Sequence, residues 1–346
     1  MWYTGAVHRL LALLLILATV GCAAPRLARS EQAQIAGRVY VVTGASSGFG
    51  QGVALRLGQQ RARVVLAARR AELLEEIAGR IRASGGEALV VATDVGNPDQ
   101  VERLAAAAKE RFGRVDVWMN IAGVGALGRF WELPVADQAR VVDTNLKGVI
   151  YGSHAALNLF RRQPGRGVLV NMSSVEGQVP LAYHSTYAAT KAGVLSLGRS
   201  INEELRHAGL SRRIKVATVM PYAADTPFFG HQANVTGHAH RIVLIDDPQK
   251  VVDALLWVSL HPREELPVGW KAQGAVTAHR LLPDLTEHVA ANIHRDEIAK
   301  GTPVPPTSGA VFAPQSDGGG RTVQGGVRER IDREDRARKE RQRRPD

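Results

Sequence analysis

A β-branched run that breaks into a glycine-rich turn and then takes up helical spacing constrains this chain more than any other stretch. Arg38-Val39-Tyr40-Val41-Val42 reads as a buried strand. Thr43-Gly44-Ala45-Ser46-Ser47-Gly48-Phe49-Gly50 follows, and Gly52-Val53-Ala54-Leu55-Arg56-Leu57 continues as a helix. A strand, a glycine turn and a helix start form a unit that holds a dinucleotide diphosphate. Glycines let the backbone approach the phosphates, and the helix N-terminus presents N–H groups to the anion. Thr43, Gly44, Ser46, Ser47, Gly48, Phe49 and Gly50 are therefore candidate cofactor contacts. The spacing is Gly-x-x-x-Gly-x-Gly rather than Gly-x-Gly-x-x-Gly.

The same alternation runs on through most of the 346 residues. Strand-like runs fall at 38–43, 63–68, 87–92, 115–119, 167–171 and 214–219. Helical stretches at 70–83, 98–112, 135–162 and 187–208 lie between them, with a further helix at 248–260 and a strand near 265–269. Strands alternating with helices specify an α/β fold of Rossmann type: a doubly wound parallel sheet of about seven strands with helices on both faces.

Tyr187 and Lys191 stand four residues apart on one of these helices and so share a face. A free phenol has a pKa of about 10. A nearby ammonium favours the phenolate and draws that value toward the working range, which suits a general acid–base catalyst.

The glycine turn together with Tyr187-x-x-x-Lys191 resembles the short-chain dehydrogenase/reductase family, in its compact single-domain branch, over about residues 36–270. Asn120-Ile121-Ala122-Gly123 is similar to the family's Asn-Asn-Ala-Gly, with Ile121 in place of the second asparagine. The resemblance makes Asn120, Ala122 and Gly123 cofactor contacts. It makes Asn145 and Ser174, thirteen residues before Tyr187, the remaining catalytic residues. Ser173 is one residue out of register, and Tyr183 has no lysine four positions on. Pro221 and Thr226 match the segment that touches the nicotinamide, but Tyr222 stands where the family has glycine. A tyrosine does not adopt positive φ cheaply and adds bulk at the active-site mouth.

An acidic residue at the end of the second strand would bind the ribose 2′-hydroxyl and repel a 2′-phosphate. Ala68 sits there, followed by Arg69, whose guanidinium fork fits a phosphate. NADP(H) is thus favoured over NAD(H), unless Arg69 and Arg70 are only solvated charges at a helix start. The resemblance puts Asp94 at the adenine ring; the alternative is an N-cap for the helix beginning near Pro98.

The expected activity is hydride transfer between a nicotinamide and a carbonyl or alcohol. Tyr187 exchanges the proton, Lys191 tunes it, and Ser174 stabilises the oxyanion; the resemblance implies that Lys191 also holds the ribose and that Asn145 holds a water in a proton relay. The alternative is a catalytically idle NADP-binding sensor or scaffold on the same fold. An extended-branch epimerase or dehydratase needs different glycine spacing and a larger C-terminal domain.

Phe228, Phe229, Val175, Val179, Pro180, Leu181 and Tyr183 suggest apolar walls and a lipophilic ketone, aldehyde or alcohol. His231, His238 and His240 lack a third ligand at sensible spacing, so no metal is expected. The resemblance implies a homodimer or homotetramer built on the helices at 135–162 and 187–208.

Residues 1–30 form a hydrophobic leader, Leu10 to Val20 being strongly apolar and Cys22 the only cysteine. Arg26, Arg29 and Arg38 follow it, which favours a membrane anchor with the catalytic domain in the cytoplasm. A cleaved signal or lipoprotein peptide, or a soluble cytoplasmic protein, are the alternatives. Residues 271–300 read as a helical extension. Residues 301–346, poor in apolar side chains, read as a disordered charged tail. The net charge is +11, but acidic residues interleave with the tail's arginines, so no nucleic-acid partner is expected.

Overall fold

Alternate residues of the first strand feed two different cores. Tyr40 and Val42 of β1 (Val39–Thr43) enter one apolar cluster, and Val39 and Val41 enter the other. The same alternation holds in β2 (Arg63–Ala68), where Val64 and Leu66 face one way and Val65 and Ala67 the other. This is the pleat of a strand covered on both faces. The computed structural model describes residues 24–315 and 322–343.

The remaining strands are β3 (Glu87–Ala92), β4 (Val117–Asn120), β5 (Ala126–Leu127), β6 (Gly167–Met172), β7 (Ile214–Pro221), β8 (Ala233–Asn234) and β9 (Glu265–Val268). Seven of them make one sheet in the order β3-β2-β1-β4-β6-β7-β9, and every pairing in it is parallel. The helices of eight residues or more among the described residues are α1 (Gly48–Gln59), α2 (Ala71–Ala83), α3 (Pro98–Phe112), α4 (Val135–Val142), α5 (Gly148–Arg162), α6 (Ser185–His207), α7 (Pro248–Leu260), α8 (Gly269–Leu281), α9 (Pro283–Ala299) and α10 (Val327–Arg343). One face of the sheet is covered by α1, α2 and α7, through residues such as Leu57, Ile77 and Leu255. The other is covered by α3, α5 and α6, through Leu104, Phe160 and Leu205. The strand order reverses between β1 and β4, and a crevice opens there at the C-terminal strand ends, where such sheets bind ligands.

The helical stretch expected over 135–162 is interrupted. Residues Asp143–Lys147 form a π-helical turn between α4 and α5, and Asn145 sits in it. Such turns are frequent at functional sites.

The tail does not follow the expectation of disorder. α10 occupies much of it, and the tail's contacts with the body explain why. Arg241 is a buried guanidinium, 2% exposed, and its partners are Glu297 at 3.3 Å and, from α10, Glu334 and Asp335, the latter at 2.7 Å. Thr302 donates to Glu334 at 2.7 Å, and Arg338 donates to the Lys300 carbonyl at 2.8 Å. The tail's backbone also pairs with the body at Asn234–Thr307 and His238–Pro303. A segment with few apolar residues is ordered here because it neutralises a buried cation of the body.

The leader, including Leu10 to Val20, lies outside the described residues. Among the described residues no helix is long and apolar enough to cross a membrane.

Candidate active site

The β1–α1 turn is built for close approach. Gly44 has φ +69°, and a Cβ there would lie 2.8 Å from the Ala122 Cα. A Cβ on Gly50 would lie 2.2 Å from the Gly44 carbonyl oxygen. The turn therefore packs backbone on backbone, and Ser46, Ser47, Gly48, Phe49 and Gly50 line a cavity of about 640 Å³ at the crevice. Arg69, Asp94, Ala122, Gly123, Ser174, Tyr187, Lys191, Pro221 and Thr226 line the same cavity, so most of the candidate residues converge. Room for a dinucleotide backbone beside glycines that admit no Cβ fits a nicotinamide cofactor.

Three candidates stand behind the cavity instead. Thr43 Oγ1 accepts from the Ile121 and Ala122 N–H groups at 3.0 and 3.2 Å and so fixes the neighbouring loop. Asn120 is buried, donating to Asn171 at 2.9 Å and accepting from the Trp118 indole at 2.8 Å. These two candidate cofactor contacts are supports, because their polar atoms are consumed by the protein itself. Asn145 Oδ1 accepts from the Val124 N–H at 2.9 Å, and its Nδ2 donates to the Val124 carbonyl at 2.8 Å. A Cβ on Gly123 would meet both Asn145 Oδ1, at 3.5 Å, and Lys191 Nζ, at 3.7 Å, which places the asparagine beside the lysine.

Lys191 is buried and donates to the Met172 carbonyl at 2.9 Å. Its Nζ lies 5.5 Å from the centre of the Tyr187 ring. Burial pushes the ammonium down to about 8, against the pull of the Glu176 carboxylate. The phenol moves in the direction opposite to the expectation. Burial first, and Glu176 second, push Tyr187 up, while a hydrogen bond with Ser174 draws it down. The expectation counted the cation and missed first the burial and then the carboxylate, which lies in the loop after β6.

Ser173 donates to the Lys191 carbonyl at 2.8 Å and is structural. Tyr183 has φ 69° and sets its ring edge-on to His294, well apart from the Tyr187 role. Tyr222 is not strained, since the described non-glycine residues with positive φ are Arg61, Tyr183 and Leu244. Its ring packs on Val175, Val179 and Val276, and its hydroxyl donates to the Val243 carbonyl at 3.4 Å, so it narrows the mouth without distorting the backbone.

Arg69 donates to the carbonyls of Ala310, Val311 and Phe312 at 2.6, 3.3 and 3.1 Å. The Gly48 N–H donates to the Thr322 carbonyl at 3.0 Å. The tail thus lies over two of the candidate cofactor contacts. Asp94 pairs with Arg140, and the N-cap of α3 is Asn97, whose side chain accepts from the Gln100 N–H at 3.2 Å. Asp94 is therefore a cavity residue and not the cap.

Two groups escaped the sequence reading. Leu282, Leu285, Val289 and Ile293 of α9 and the residue before it form an apolar wall of the cavity, and all four are at least 43% exposed on the open side. Their helical spacing was visible, but not the crevice they face. His184, His240 and His294 cluster beside Tyr187, with ring centres 5.0 to 5.6 Å apart. Among the described residues no group of three or more His, Cys, Asp and Glu side chains has the arrangement of a metal site.

A parallel doubly wound sheet with a glycine cradle at its switch point defines a nucleotide-binding α/β oxidoreductase. A model of the short chain dehydrogenase family matches residues 38–235, and the chain belongs to that family. The chain is 33% identical over 258 residues to the uncharacterized oxidoreductase YxnA of Bacillus subtilis, covering 74% of this chain and 72% of the relative. It is 32% identical over 229 residues to an uncharacterized oxidoreductase of Staphylococcus haemolyticus, covering 66% and 94%. Among solved structures, an alcohol dehydrogenase from Thermococcus sibiricus complexed with 5-hydroxy-NADP matches with a TM-score of 0.57 and 26% identity, covering 66% of this chain and 94% of that one. A short-chain type dehydrogenase/reductase from Mycobacterium marinum shares the fold, with a TM-score of 0.61 and 24% identity over 70% and 98% of the two chains.

Proposed function

We propose that this oxidoreductase uses NADP(H) to interconvert a lipophilic ketone or aldehyde and the corresponding alcohol, with Tyr187 as acid and base. The observation that carries the reading is the meeting of Ser174, Tyr187 and Lys191 on the wall of one cavity with the glycine cradle. The nicotinamide, when bound, supplies or accepts the hydride. Ser174 donates to the developing oxyanion, Tyr187 transfers the proton, Lys191 holds the ribose, and Asn145 keeps a water behind it. Apolar side chains from α9 and the Val175–Leu181 loop favour a lipophilic substrate.

NADP(H) preference is supported by Arg69 on the cavity wall, whose guanidinium a 2′-phosphate would have to win from the tail carbonyls it now donates to, and by buried Ala68 where an acid would exclude a 2′-phosphate. Arg69→Gln is expected to weaken NADPH binding roughly 10- to 30-fold, the worth of one or two charged hydrogen bonds, and to leave NADH binding nearly unchanged. Fluorescence titration with both nucleotides checks this. NADPH oxidation, with NADH alongside, against a panel of short polar and long apolar carbonyls tests the reaction. Turnover of long-chain members with NADPH is the expected result. Tight NADPH binding with no turnover of any member would point to the idle sensor instead.

A homodimer or homotetramer through α4, α5 and α6, and membrane attachment through the leader, complete the proposal. Light scattering and the mass of the mature N-terminus test these two points.

A further inference from the structure

A backbone carbonyl and five side chains beside Tyr187, four of those side chains buried, are joined end to end, and their hydrogens can be counted. The Ala182 carbonyl meets His294 Nδ1 at 2.8 Å, and His294 Nε2 meets His240 Nε2 at 2.9 Å. His240 Nδ1 meets Gln232 Nε2 at 2.5 Å, and Gln232 Oε1 meets His184 Nε2 at 3.2 Å. His184 Nδ1 then meets the Glu176 carboxylate at 3.1 Å. Each of the five contacts needs one hydrogen between its heavy atoms. Three neutral imidazoles supply one each, and the Gln232 amide supplies one along this line, because its other end must accept. Four hydrogens cannot fill five contacts. Flipping the Gln232 amide only moves the bare contact from the His184–Glu176 end to the His240–His294 pair. The chain has an acceptor at each terminus, a carbonyl and a carboxylate, so it must hold one further proton. Without it, two lone pairs would face each other where His184, Gln232, His240 and His294 are all at most 4% exposed.

We propose that Glu176, His184, Gln232, His240 and His294 form a proton wire, buried at all but its Glu176 end, that carries one labile proton at its His184–Glu176 end, making His184 a positioning cation for Tyr187. The consequence for Tyr187 rests on its acid–base role; the wire itself does not. The proton belongs at that end for two reasons. A carboxylate is the only anionic terminus, and an imidazole holds a proton more tightly than a carboxylate by about two pKa units in water. Burial also holds His240 well below its ordinary range and His294 at about 4, so neither is the cation. The His184 ring centre is 5.4 Å from that of Tyr187. Its charge there offsets the Glu176 carboxylate, which otherwise opposes ionisation of the phenol. The other titratable groups facing the wire are Lys191 on α6, Tyr183 against His294, Tyr222 near Glu176, and Arg330 on α10, which donates to the His240 carbonyl.

Glu176→Gln tests the count. A glutamine there donates to His184 Nδ1, so five neutral hydrogens fill five contacts and the labile proton is no longer needed. Nitrogen-15 histidine spectra of the full chain at pH 7 read the tautomers directly, with His184 assigned by its own replacement. The expected result is a His184 protonated on both ring nitrogens in the wild type, whose Nδ1 becomes an acceptor nitrogen in E176Q, with His294 carrying its proton on Nδ1 in both. A neutral His184 in the wild type, with either ring nitrogen of the acceptor type, would overturn the cation at that end of the wire. The pH profile of kcat/KM, with decanal and NADPH as the probe, reads the coupling to Tyr187. E176Q is expected to lose one ionisation from that profile, and an unchanged profile would contradict the positioning role. Since the spectra need no turnover, they support or overturn the wire even in a protein inactive on decanal.

Discussion

Lys191 is buried with its ammonium held down to about 8 by that burial, which places its ionisation inside the assayable range. The pH dependence of kcat/KM reports groups of the free enzyme. NADPH-linked kcat/KM is therefore expected to fall as pH rises through about 8, where Lys191 loses the proton that favours Tyr187 ionisation and ribose binding. A profile flat from about pH 7 to about 9.5, which brackets that ionisation, is the opposing outcome. At this scale the sequence was generous with Tyr187, Lys191 and Ser174, because their spacings are local and their chemistry is specific. It could not reveal Glu176 and His184 as their neighbours. The loop after β6 and the residue before α6 bring these side chains together at 3.1 Å, and neither residue has a spacing that advertises the other.

The β1–α1 unit shows how an element is set by a few backbone demands. Gly44 combines left-handed φ with a Cβ position blocked by the Ala122 backbone at 2.8 Å. Gly44→Ala is expected to cost about 2 kcal/mol from the strained backbone alone, with more from the clash, and to lower Tm and cofactor binding together. Thermal melts with and without NADPH check it. Strands and helices were legible because β-branched runs and amphipathic spacing both persist over whole elements. The expected helix at 248–260 coincides with α7 (Pro248–Leu260), where Asp247 caps and Pro248 opens the helix. The π-helical turn around Asn145 was not legible. One residue of local register change alters no periodicity that the sequence displays.

Across the whole molecule, order in the tail depends on a charge buried in the body. Arg241 is shut away from water, and Glu334 and Asp335 on α10 neutralise it from more than ninety residues away in sequence. Glu334→Ala is expected to lower stability by about 3 kcal/mol, measured by denaturant unfolding, because it leaves a buried guanidinium short of a partner. Burial resists ionisation of Glu334, but hydrogen bonds from Arg241 and Thr302 prevail and hold it below its ordinary range. A depressed carboxylate contributes stability that is present above the unfolded value and lost as pH falls through the folded one. The tail is thus expected to loosen at acid pH, below the ordinary carboxylate range. Composition could not foresee this, because a polar segment with nothing apolar to bury reads as disordered unless its buried partner is known. The same tail covers Arg69 and the Gly48 N–H, two of the candidate cofactor contacts.

The proposed chemistry stands or falls on Tyr187 as the proton carrier in an NADPH-dependent reduction. Single-turnover reduction of a long-chain aldehyde by bound NADPH, compared between wild type and Tyr187→Phe, isolates that step. The variant is expected to bind NADPH within about twofold of wild type and to lose turnover by at least roughly 10²-fold, the least that a general acid contributes. Turnover at the wild-type rate in Tyr187→Phe would show that the proton comes from elsewhere.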